Sequence, residues 1–371
     1  MIKHCSLFLS AIVAVFSFAD CTSTSEKQVK VDYSPIKEIA HPTYVCYRTP
    51  NPINIDGNLS EWKDIPAVSD FVDIVGETEP APKYKTITKM AYDESGLYIA
   101  AVMEEPHIWS YITKHDSDIY QENCFEVFIN PSGSTHNYME YQINARGADW
   151  DLFLTCPYRD NPTALSDWEF LGKRSAVSID GSINNPSKED KSWSIELFFP
   201  WKSINQAGAS YRGVPKAGDQ IRMNFARVAW DTKIVDGNYV KDTQKSEQES
   251  VNYWVWAPAG AVNMHAPELW GYVQFSDKIA GQGTDKFVEK PCEAIKWMLR
   301  KLYYRQKEYK KQTGKYTDHA EELCASDFCS PEQLSNLTIE KTSSFFEITL
   351  STKDGNTWRI DDKGRVWSAP L

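Results

Sequence analysis

Carboxylate and amide side chains recur at alternate positions in two segments that have the pattern of β-strands. Glu126 lies in an otherwise apolar segment, and the next segment carries Glu140, Gln142 and Asn144 at every second position. Alternate residues of a strand share one face of a sheet, and Tyr120 stands just before the first segment. A sugar is bound through a flat apolar surface together with carboxylate and amide groups for its hydroxyls. With Tyr120, these polar residues supply that mixture if the two strands adjoin.

The same residues have other interpretations. The polar side chains could satisfy one another's hydrogen bonds or line a solvated sheet face. A glycoside hydrolase would need two carboxylates about 5–10 Å apart, and Glu126, Glu140 and Glu196 are candidates if they share a cleft. The sequence contains no glycine-rich phosphate loop, Gly-x-Ser-x-Gly motif or His-Glu-x-x-His motif, which disfavours the enzyme classes that use them. We therefore expect a protein without catalytic residues.

The composition indicates a folded, acidic protein with many aromatic residues. Of its 371 residues, 42% are hydrophobic, and the formal net charge is −11. A chain this acidic is unsuited to binding nucleic acid through phosphate contacts. Its 13 Trp, 19 Tyr and 16 Phe residues either fill a core or form stacking surfaces for ligands.

The N-terminus has the pattern of an export signal. A basic start precedes an apolar run over residues 7–19, which is shorter than the about 20 residues of a membrane-spanning helix. Cys21 follows at a position that resembles the lipidated cysteine of bacterial lipoproteins. We expect a signal peptide over residues 1–20, a lipid anchor on Cys21 and a tether over residues 21–41. The protein would then lie at the bacterial outer membrane or cell surface, or in the periplasm if it is not lipidated.

The remaining chain divides into two units. From residue 42 to 277, short apolar runs separated by turn residues predict an all-β antiparallel sandwich. A glycine-containing linker follows over residues 278–289. Residues 290–371 predict a smaller α+β module, in which an amphipathic helix over residues 291–313 precedes a small antiparallel sheet.

The predicted helix and the cysteines suggest further contacts. The helix carries seven lysine and arginine residues against two glutamates. Its basic surface is either solvated or a docking site for a protein partner or for the acidic front domain. Cys324 and Cys329 are close enough in sequence to form a disulfide, which export permits.

Seven segments, taken in order, resemble carbohydrate-binding module family 9. They are 55–62 (IDGNLSEW), 92–98 (YDESGLY), 118–129 (DIYQENCFEVFI), 138–144 (YMEYQIN), 193–196 (WSIE) with 200–201 (PW), 224–227 (NFAR) and 265–271 (HAPELWG). The resemblance implies a non-catalytic β-sandwich that holds the end of a sugar chain between two tryptophans. Some members bind structural calcium, and the resemblance implies no other cofactor. The C-terminal helix and sheet are weakly similar to the soluble part of type IV pilin-like proteins.

The resemblance also assigns sugar-contacting positions. The first family tryptophan falls on Tyr120 and the second near Met264. The family's acidic contact corresponds to Glu126, its asparagine to Asn144 and a basic contact to Gln142. Three nearby tryptophans are further candidates for stacking on a sugar: Trp254, Trp256 and Trp270.

Two functions are therefore expected from the sequence. The first is glycan binding by an exported, membrane-anchored protein that assists polysaccharide capture or catabolism. The alternative is a surface scaffold whose sandwich contacts other proteins and binds no sugar.

Overall fold

The structure is a computed structural model that describes residues 31–33, 40–209, 213–242, 246, 250–324 and 329–370. The predicted signal peptide, the lipidation site Cys21 and most of the predicted tether lie outside these residues. Within the described ranges, none of the helices has both the length and the apolar character needed to cross a membrane.

The front domain is built from strands, as the short apolar runs predict. In chain order they are β1 (Thr43–Arg48), β2 (Val72–Asp73), β3 (Thr86–Tyr92), β4 (Gly96–Glu104), β5 (Cys124–Asn130), β6 (Tyr138–Asn144), β7 (Asp149–Leu154), β8 (Ala164–Leu165), β9 (Arg174–Asp180), β10 (Ser192–Pro200), β11 (Gln220–Trp230), β12 (Thr232–Val235), β13 (Asn238–Lys241), β14 (Val251–Val255) and β15 (Gly271–Ile279). A short helix, α1 (Trp201–Ile204), follows β10.

Of the described strands, thirteen form one sheet in which β5 and β6 are central to one half and β3, β4 and β10 to the other. The order is β8-β7-β6-β5-β11-β15-β1-β3-β4-β10-β9, with β14 and β2 attached beside β11. One core holds Phe125 and Val127 from β5 together with Leu97 and Ile99 from β4. The sheet therefore folds into two layers around shared apolar side chains, and the predicted sandwich is confirmed.

Strand β1 departs from the antiparallel prediction, because it runs parallel to both β15 and β3. The antiparallel expectation rests on hairpins, in which a short turn reverses the chain. No hairpin constrains β1 and β15, since they come from opposite ends of the domain. The sheet is thus mixed at β1 and antiparallel in its other pairings between described strands.

The C-terminal module is a long helix packed against a small antiparallel sheet. Its elements are α2 (Pro291–Thr313), α3 (Ala320–Leu323), α4 (Pro331–Ser335), β16 (Leu337–Lys341), β17 (Phe346–Ser351), β18 (Asn356–Asp361) and β19 (Val366–Pro370). Leu299 and Leu302 of α2 share a core with Ile348 and Ile360 of the sheet. The helix ends at Gly314, whose φ of 82° is the left-handed conformation that favours glycine.

The segment that connects the two units lies along the front domain. The backbone N–H of Asp285 donates to the Tyr47 hydroxyl over 2.9 Å. The Gln274 amide donates to the Lys286 carbonyl over 3.0 Å. Strand β15 ends at Ile279, two residues beyond the predicted boundary. The division into two domains stays a prediction, but the linker is held by hydrogen bonds.

Helix α2 also contacts the front domain directly. The side chain of Arg300 is 2% exposed and donates to the Gly133 carbonyl over 3.2 Å. The Tyr272 hydroxyl donates to Glu293 over 2.7 Å, and the Trp297 ring stacks on His41 with centroids 4.7 Å apart. Part of the basic helix surface therefore faces this protein's own front domain, which was one of the two docking interpretations.

Candidate functional site

The cross-strand register brings the predicted polar residues onto one face of the front sheet. Glu126 of β5 is paired with Gln142 of β6, which is paired in turn with Trp150 of β7. On its other side Glu126 is paired with Ala226 of β11. Paired residues point to the same side of a sheet, so these four side chains form one row. The two strands adjoin, as the sequence argument required.

A second carboxyl lies beside this row. Glu140 is paired with Phe128 on β5 and with Leu152 on β7, and its strand position is two residues from Gln142. Glu126, Glu140 and Gln142 are each at most 4% exposed. The polar floor of the site, which we define as these three residues, therefore lies beneath larger side chains.

Partly exposed side chains border this floor; they are Tyr120, Trp150, Tyr158, Tyr253, Met264 and His265. The Tyr120 ring lies 6.4 Å from the Trp150 ring, at an angle of 32°. Its backbone N–H donates to Oε1 of Gln142 over 2.9 Å, which ties the ring to the floor. Tyr158 is 48% exposed and meets His265 edge-on, with centroids 4.4 Å apart. Aromatic surface is thus available on two sides of the carboxyl groups.

The two floor carboxyls influence each other's charge. Burial raises the pKa of both Glu126 and Glu140, and the nearby Glu140 raises that of Glu126 further. In the part of the chain that the structure describes, no lysine or arginine forms an ion pair with either group. Like charges buried close together disfavour double ionisation. The pair therefore keeps a proton over a wider pH range than exposed glutamates, and it can donate as well as accept hydrogen bonds.

Few protein groups satisfy these carboxyls. The Gln142 amide donates to Oε1 of Glu140 over 2.6 Å. Among the described residues, the hydrogen-bond donor to Glu126 is the Cys124 thiol at 3.9 Å, which is a weak donor. A buried carboxyl with so little compensation is costly, and hydroxyl groups of a ligand could supply the missing bonds.

His265 is the nitrogen base of the site. Its Nε2 lies 3.6 Å from Oε2 of Glu140, and its Nδ1 lies 2.9 Å from the Tyr138 hydroxyl. Burial lowers the pKa of His265 to about 4, so the imidazole is neutral at pH 7 and the contact with Glu140 is not an ion pair. In the sequence, this histidine belongs to the segment 265–271 that resembles family 9, and it is not among the predicted sugar contacts. Met264, on which the second family tryptophan falls, lies at the border beside it.

Asn144 does not belong to the site, which corrects that expectation. It is completely buried, and its Oδ1 accepts from the backbone N–H groups of Arg146 and Ala148 over 3.0 and 3.1 Å. Its Nδ2 donates to the Ile112 carbonyl over 3.0 Å. With a longer contact from Nδ2 to Oε2 of Glu122, 3.4 Å, these bonds hold the turn after β6 and leave the amide committed to groups of the protein.

The three candidate tryptophans also offer no open ring face, so their expected stacking role is corrected. Trp254, Trp256 and Trp270 are at most 3% exposed. Strand alternation turns Trp254 and Trp256 into the core between the layers, while Tyr253 of the same strand takes the site face. Tyr253, Trp150 and Tyr158 are border rings that sequence reasoning missed. The register of β14 and β7 against their neighbours identifies the first two, and the 3-10 turn after β7 presents Tyr158.

Glu196, the third carboxylate considered for hydrolysis, lies in the other layer. It accepts from the Trp62 indole over 2.8 Å and from the Gly57 backbone N–H over 2.6 Å. It therefore fixes a turn of the front domain and does not share a cleft with Glu126 and Glu140.

A separate acidic cluster is the group of described residues that could hold a metal ion. It comprises His115, Asp116, Asp151 and Glu169, whose candidate ligand atoms lie within 4.8 Å of one another. The ammonium of Lys173 lies among these groups, 2.5 Å from Asp151 and 3.2 Å from Glu169. A lysine therefore already supplies positive charge where a calcium ion would bind.

The two cysteines expected to form a disulfide are both thiols in this structure. A hydrogen bond with Cys329, together with burial, raises the pKa of the Cys324 thiol. The sulfurs are thus neighbours, and the disulfide stays a prediction.

No protein-family model matches the sequence, and no curated protein matches it. Among solved structures, a candidate carbohydrate-binding protein from Bacteroides uniformis is 14% identical, with a TM-score of 0.47 over 64% of this chain and 100% of that chain. A family 9 carbohydrate-binding module from Caldicellulosiruptor kristjanssonii was solved with cellotriose and with glucose. Both structures are 13% identical over 66% of this chain, with TM-scores of 0.40 and 0.39 over 99% and 100% of their own chains. This chain is similar to members of the family that its sequence motifs resemble.

Proposed function

We propose that the front domain binds a carbohydrate, without changing it chemically, at the ring-bordered site above Glu126 and Glu140. The observation that carries this proposal is the combination of partly exposed rings with a polar floor of two carboxyls and an amide. The rings of Tyr120 and Tyr158 can cover the C–H face of a sugar. The carboxyls and Gln142 can exchange hydrogen bonds with its hydroxyls.

The affinity of such a site is modest. Each hydrogen bond to a sugar replaces a bond to water and contributes only about 0.5–1.5 kcal/mol. Stacking on two rings and a few such bonds corresponds to dissociation constants between about 1 μM and 1 mM. Binding in this range suits a protein that captures a polymer through repeated contacts.

Export and anchoring belong to the same proposal. The N-terminal pattern supports a lipid on Cys21, and Val31 and Tyr33 pack against the C-terminal module. Residues 22–30 lie between that cysteine and the first described residue, and a chain of this length extends at most about 32 Å. The anchor would therefore keep the module close to a membrane and the protein outside the cytoplasm, where it would assist polysaccharide capture. Replacing Cys21 with Ser should move the protein from the membrane fraction to the exported fraction without an anchor.

The direct test begins with a glycan array probed by the intact protein. Calorimetric titration with the strongest glycan then compares wild type with Tyr120→Ala and Trp150→Ala. Each variant loses ring surface at the border, so we expect binding at least about tenfold weaker, which corresponds to 1.4 kcal/mol. Phe345→Ala is the matched control, because this ring is 59% exposed in the C-terminal module.

The same experiment separates the alternatives. A protein that binds no glycan on the array would favour the surface scaffold. Shortened glycan products after incubation would favour hydrolysis by Glu126 and Glu140. This candidate stays open because the two carboxyls lie on the same face of the sheet. Unchanged binding by both ring variants, with unchanged melting temperatures, would contradict the proposed site.

A further inference from the structure

Two short turns of the front domain connect the candidate site to the C-terminal module. Tyr158 borders the site, and Arg159 is the next residue of the same 3-10 turn. His265 also borders the site, and two residues later a second 3-10 turn, Pro267–Leu269, begins and carries Glu268. The first turn thus contains a residue of the site, and the second directly follows one.

An ion pair with buried carboxylates joins the two turns. Nη1 of Arg159 lies 2.8 Å from Oε1 of Glu268, whose side chain is 2% exposed. Nε of Arg159 lies 3.2 Å from Oδ2 of Asp160, whose side chain is 3% exposed. The Arg159 side chain is itself 25% exposed, so the two carboxylates are shielded from water while the guanidinium stays in partial contact with it.

Helix α2 supplies the remaining contacts of this network. The Tyr304 hydroxyl donates to Oε1 of Glu268. The Tyr303 hydroxyl accepts from Nε of Arg159 over 3.3 Å. Nζ of Lys307 lies 3.5 Å from Oδ1 of Asp160. Three side chains spaced along one face of α2 thus contact both turns at once.

Arg159, together with a helix contact from Tyr304, favours the charged form of the buried Glu268 carboxylate. Burial by itself would raise the pKa of Glu268, but the Arg159 guanidinium and the Tyr304 hydroxyl hold it below its usual value. The pair depends on the shielding of its carboxylate, because fully exposed ion pairs contribute only about 0–1 kcal/mol. Losing the α2 contacts would let water reach Glu268, weaken its pairing with Arg159 and loosen both turns.

We propose that the C-terminal module is a positioning brace for the carbohydrate site. It acts through Lys307 on the turn that contains Tyr158 and through Tyr304 on the turn that follows His265, and it does not touch the sugar. Binding geometry depends on border rings that are held within a fraction of an ångström. This proposal rests on the proposed function, because the geometry that the brace maintains is that of the sugar site.

The test uses intact protein with Tyr304→Phe and Lys307→Met. Tyr316→Phe and Lys311→Met are matched controls, since Tyr316 lies in the module's own core and the Lys311 side chain is 75% exposed. We expect sugar affinity about 3–10-fold weaker for the first two variants and within about twofold of wild type for the controls. Lys307→Arg keeps the charge and should retain wild-type affinity.

A second readout needs no sugar. Amide hydrogen exchange should accelerate about tenfold at residues 156–161 and 262–270 in Tyr304→Phe, while exchange within the module core stays unchanged. Wild-type protection at both turns in this variant would overturn the brace, even if wild type binds sugar. Faster exchange throughout the module would also overturn it, because that pattern means general loosening.

The two proposals fail in distinguishable ways. Wild-type protein that binds no glycan contradicts the proposed function and removes the purpose of the brace, whatever the exchange pattern. Wild-type binding combined with wild-type affinity in Tyr304→Phe and Lys307→Met contradicts the brace alone.

Discussion

The front domain contains two acidic clusters that differ in the cations around them. In the first, the Lys173 ammonium lies within 3.2 Å of three carboxylates, those of Asp149, Asp151 and Glu169. His115 adds a second positive group to this cluster. In the second, Glu126 and Glu140 lie beside each other, and among the described residues the basic group within 4 Å of either carboxyl is the neutral imidazole of His265.

The difference shows that surrounding charge decides what a carboxylate can do. In the first cluster, hydrogen bonding to Glu169 raises the pKa of His115 to about 9. Burial opposes ionisation of Glu169, but His115 and Lys173 hold the pKa of that carboxyl below its usual value. Burial raises the pKa of Asp151, although Lys173 opposes that shift. The carboxylates of this cluster are already bonded to Lys173 and His115, so they stabilise the fold. The site pair stays protonated more readily and has bonding capacity left for a ligand.

Removing the cation from the first cluster should have the largest effect. Lys173→Met leaves Asp151, which is completely buried, without its counter-ion. Breaking a buried ion pair costs about 3–5 kcal/mol of unfolding free energy. Because Lys173 and Glu169 are partly exposed to water, we expect a loss of about 3 kcal/mol. Urea denaturation should show this loss of unfolding free energy. Lys191→Met is the control, because that lysine is 79% exposed. A loss below about 1 kcal/mol would mean that the two clusters do not differ in this way.

Removing one ionisable group from the second cluster should stabilise the protein at high pH. The pKa of Glu126 in the folded protein lies above its ordinary value of 4.5. Protonation of Glu126 therefore contributes fully to the free energy of unfolding below pH 4.5. This contribution is lost as pH rises through the folded pKa. Glu126→Gln cannot ionise, so at pH 8 it should be about 1–2 kcal/mol more stable than wild type, and at pH 4 about equal.

Calorimetric melting between pH 4 and 9 measures this effect. Glu189→Gln, at an exposed position, controls for the change in net charge. A Glu126→Gln curve parallel to that of wild type would show that this carboxyl is not perturbed in the folded protein.

His115 should produce a smaller effect with the pH dependence of a cation. The pKa of His115 in the folded protein is raised from 6.5 to about 9. Its charged form therefore contributes fully to the free energy of unfolding below pH 6.5, and the contribution is lost as pH rises through about 9. The side chain is 44% exposed, so solvent screening limits the contribution to less than about 1 kcal/mol. His115→Gln should therefore be slightly less stable than wild type at pH 6 and equal at pH 10 in the same melting series. His319→Gln is the exposed control, and equal losses in both variants would contradict the ion-pair role.

The smallest expected effect concerns calcium. Since the Lys173 ammonium lies among the candidate ligands, adding calcium or a chelator should change the melting temperature by less than about 1 °C. A calcium-dependent rise of several degrees would show that the first cluster binds metal in spite of its lysine. The same titration with Lys173→Met indicates whether removal of the lysine opens the cluster.

Local pattern was sufficient for much of the fold. Strand alternation places Glu126 on one face and Phe125 and Val127 on the other, and the structure has that arrangement. The change to a 3.6-residue period predicts α2 over the residues that form it, and Gly314 ends it. These predictions succeed because alternation and helical periodicity depend on residues that are close in sequence.

The tryptophans predicted to stack on a sugar differ from the rings that are exposed in the structure, and the reason is physical. Trp254, Trp256 and Trp270 have the right chemistry for stacking and are close in sequence to Met264. Whether a ring is open depends on which face of its strand it occupies and on what covers that face. Tyr253 differs from Trp254 by one position and lies on the opposite side of the sheet, so an argument from residue type alone cannot separate them.

The sequence by itself determined the strand-rich front domain, the helix and sheet that follow, and the residue types that can bind a sugar, because these depend on composition and local period. Tertiary structure alone decided that Gln142 lies in the polar floor of the candidate site while Asn144 holds a turn. It also decided that Glu126 lies beside Glu140 with no lysine or arginine paired to either among the described residues, and that α2 contacts the turns next to the candidate site. Charge, burial and exposure are set by neighbours that are distant in the chain, and the folding of the sheet brings those neighbours together.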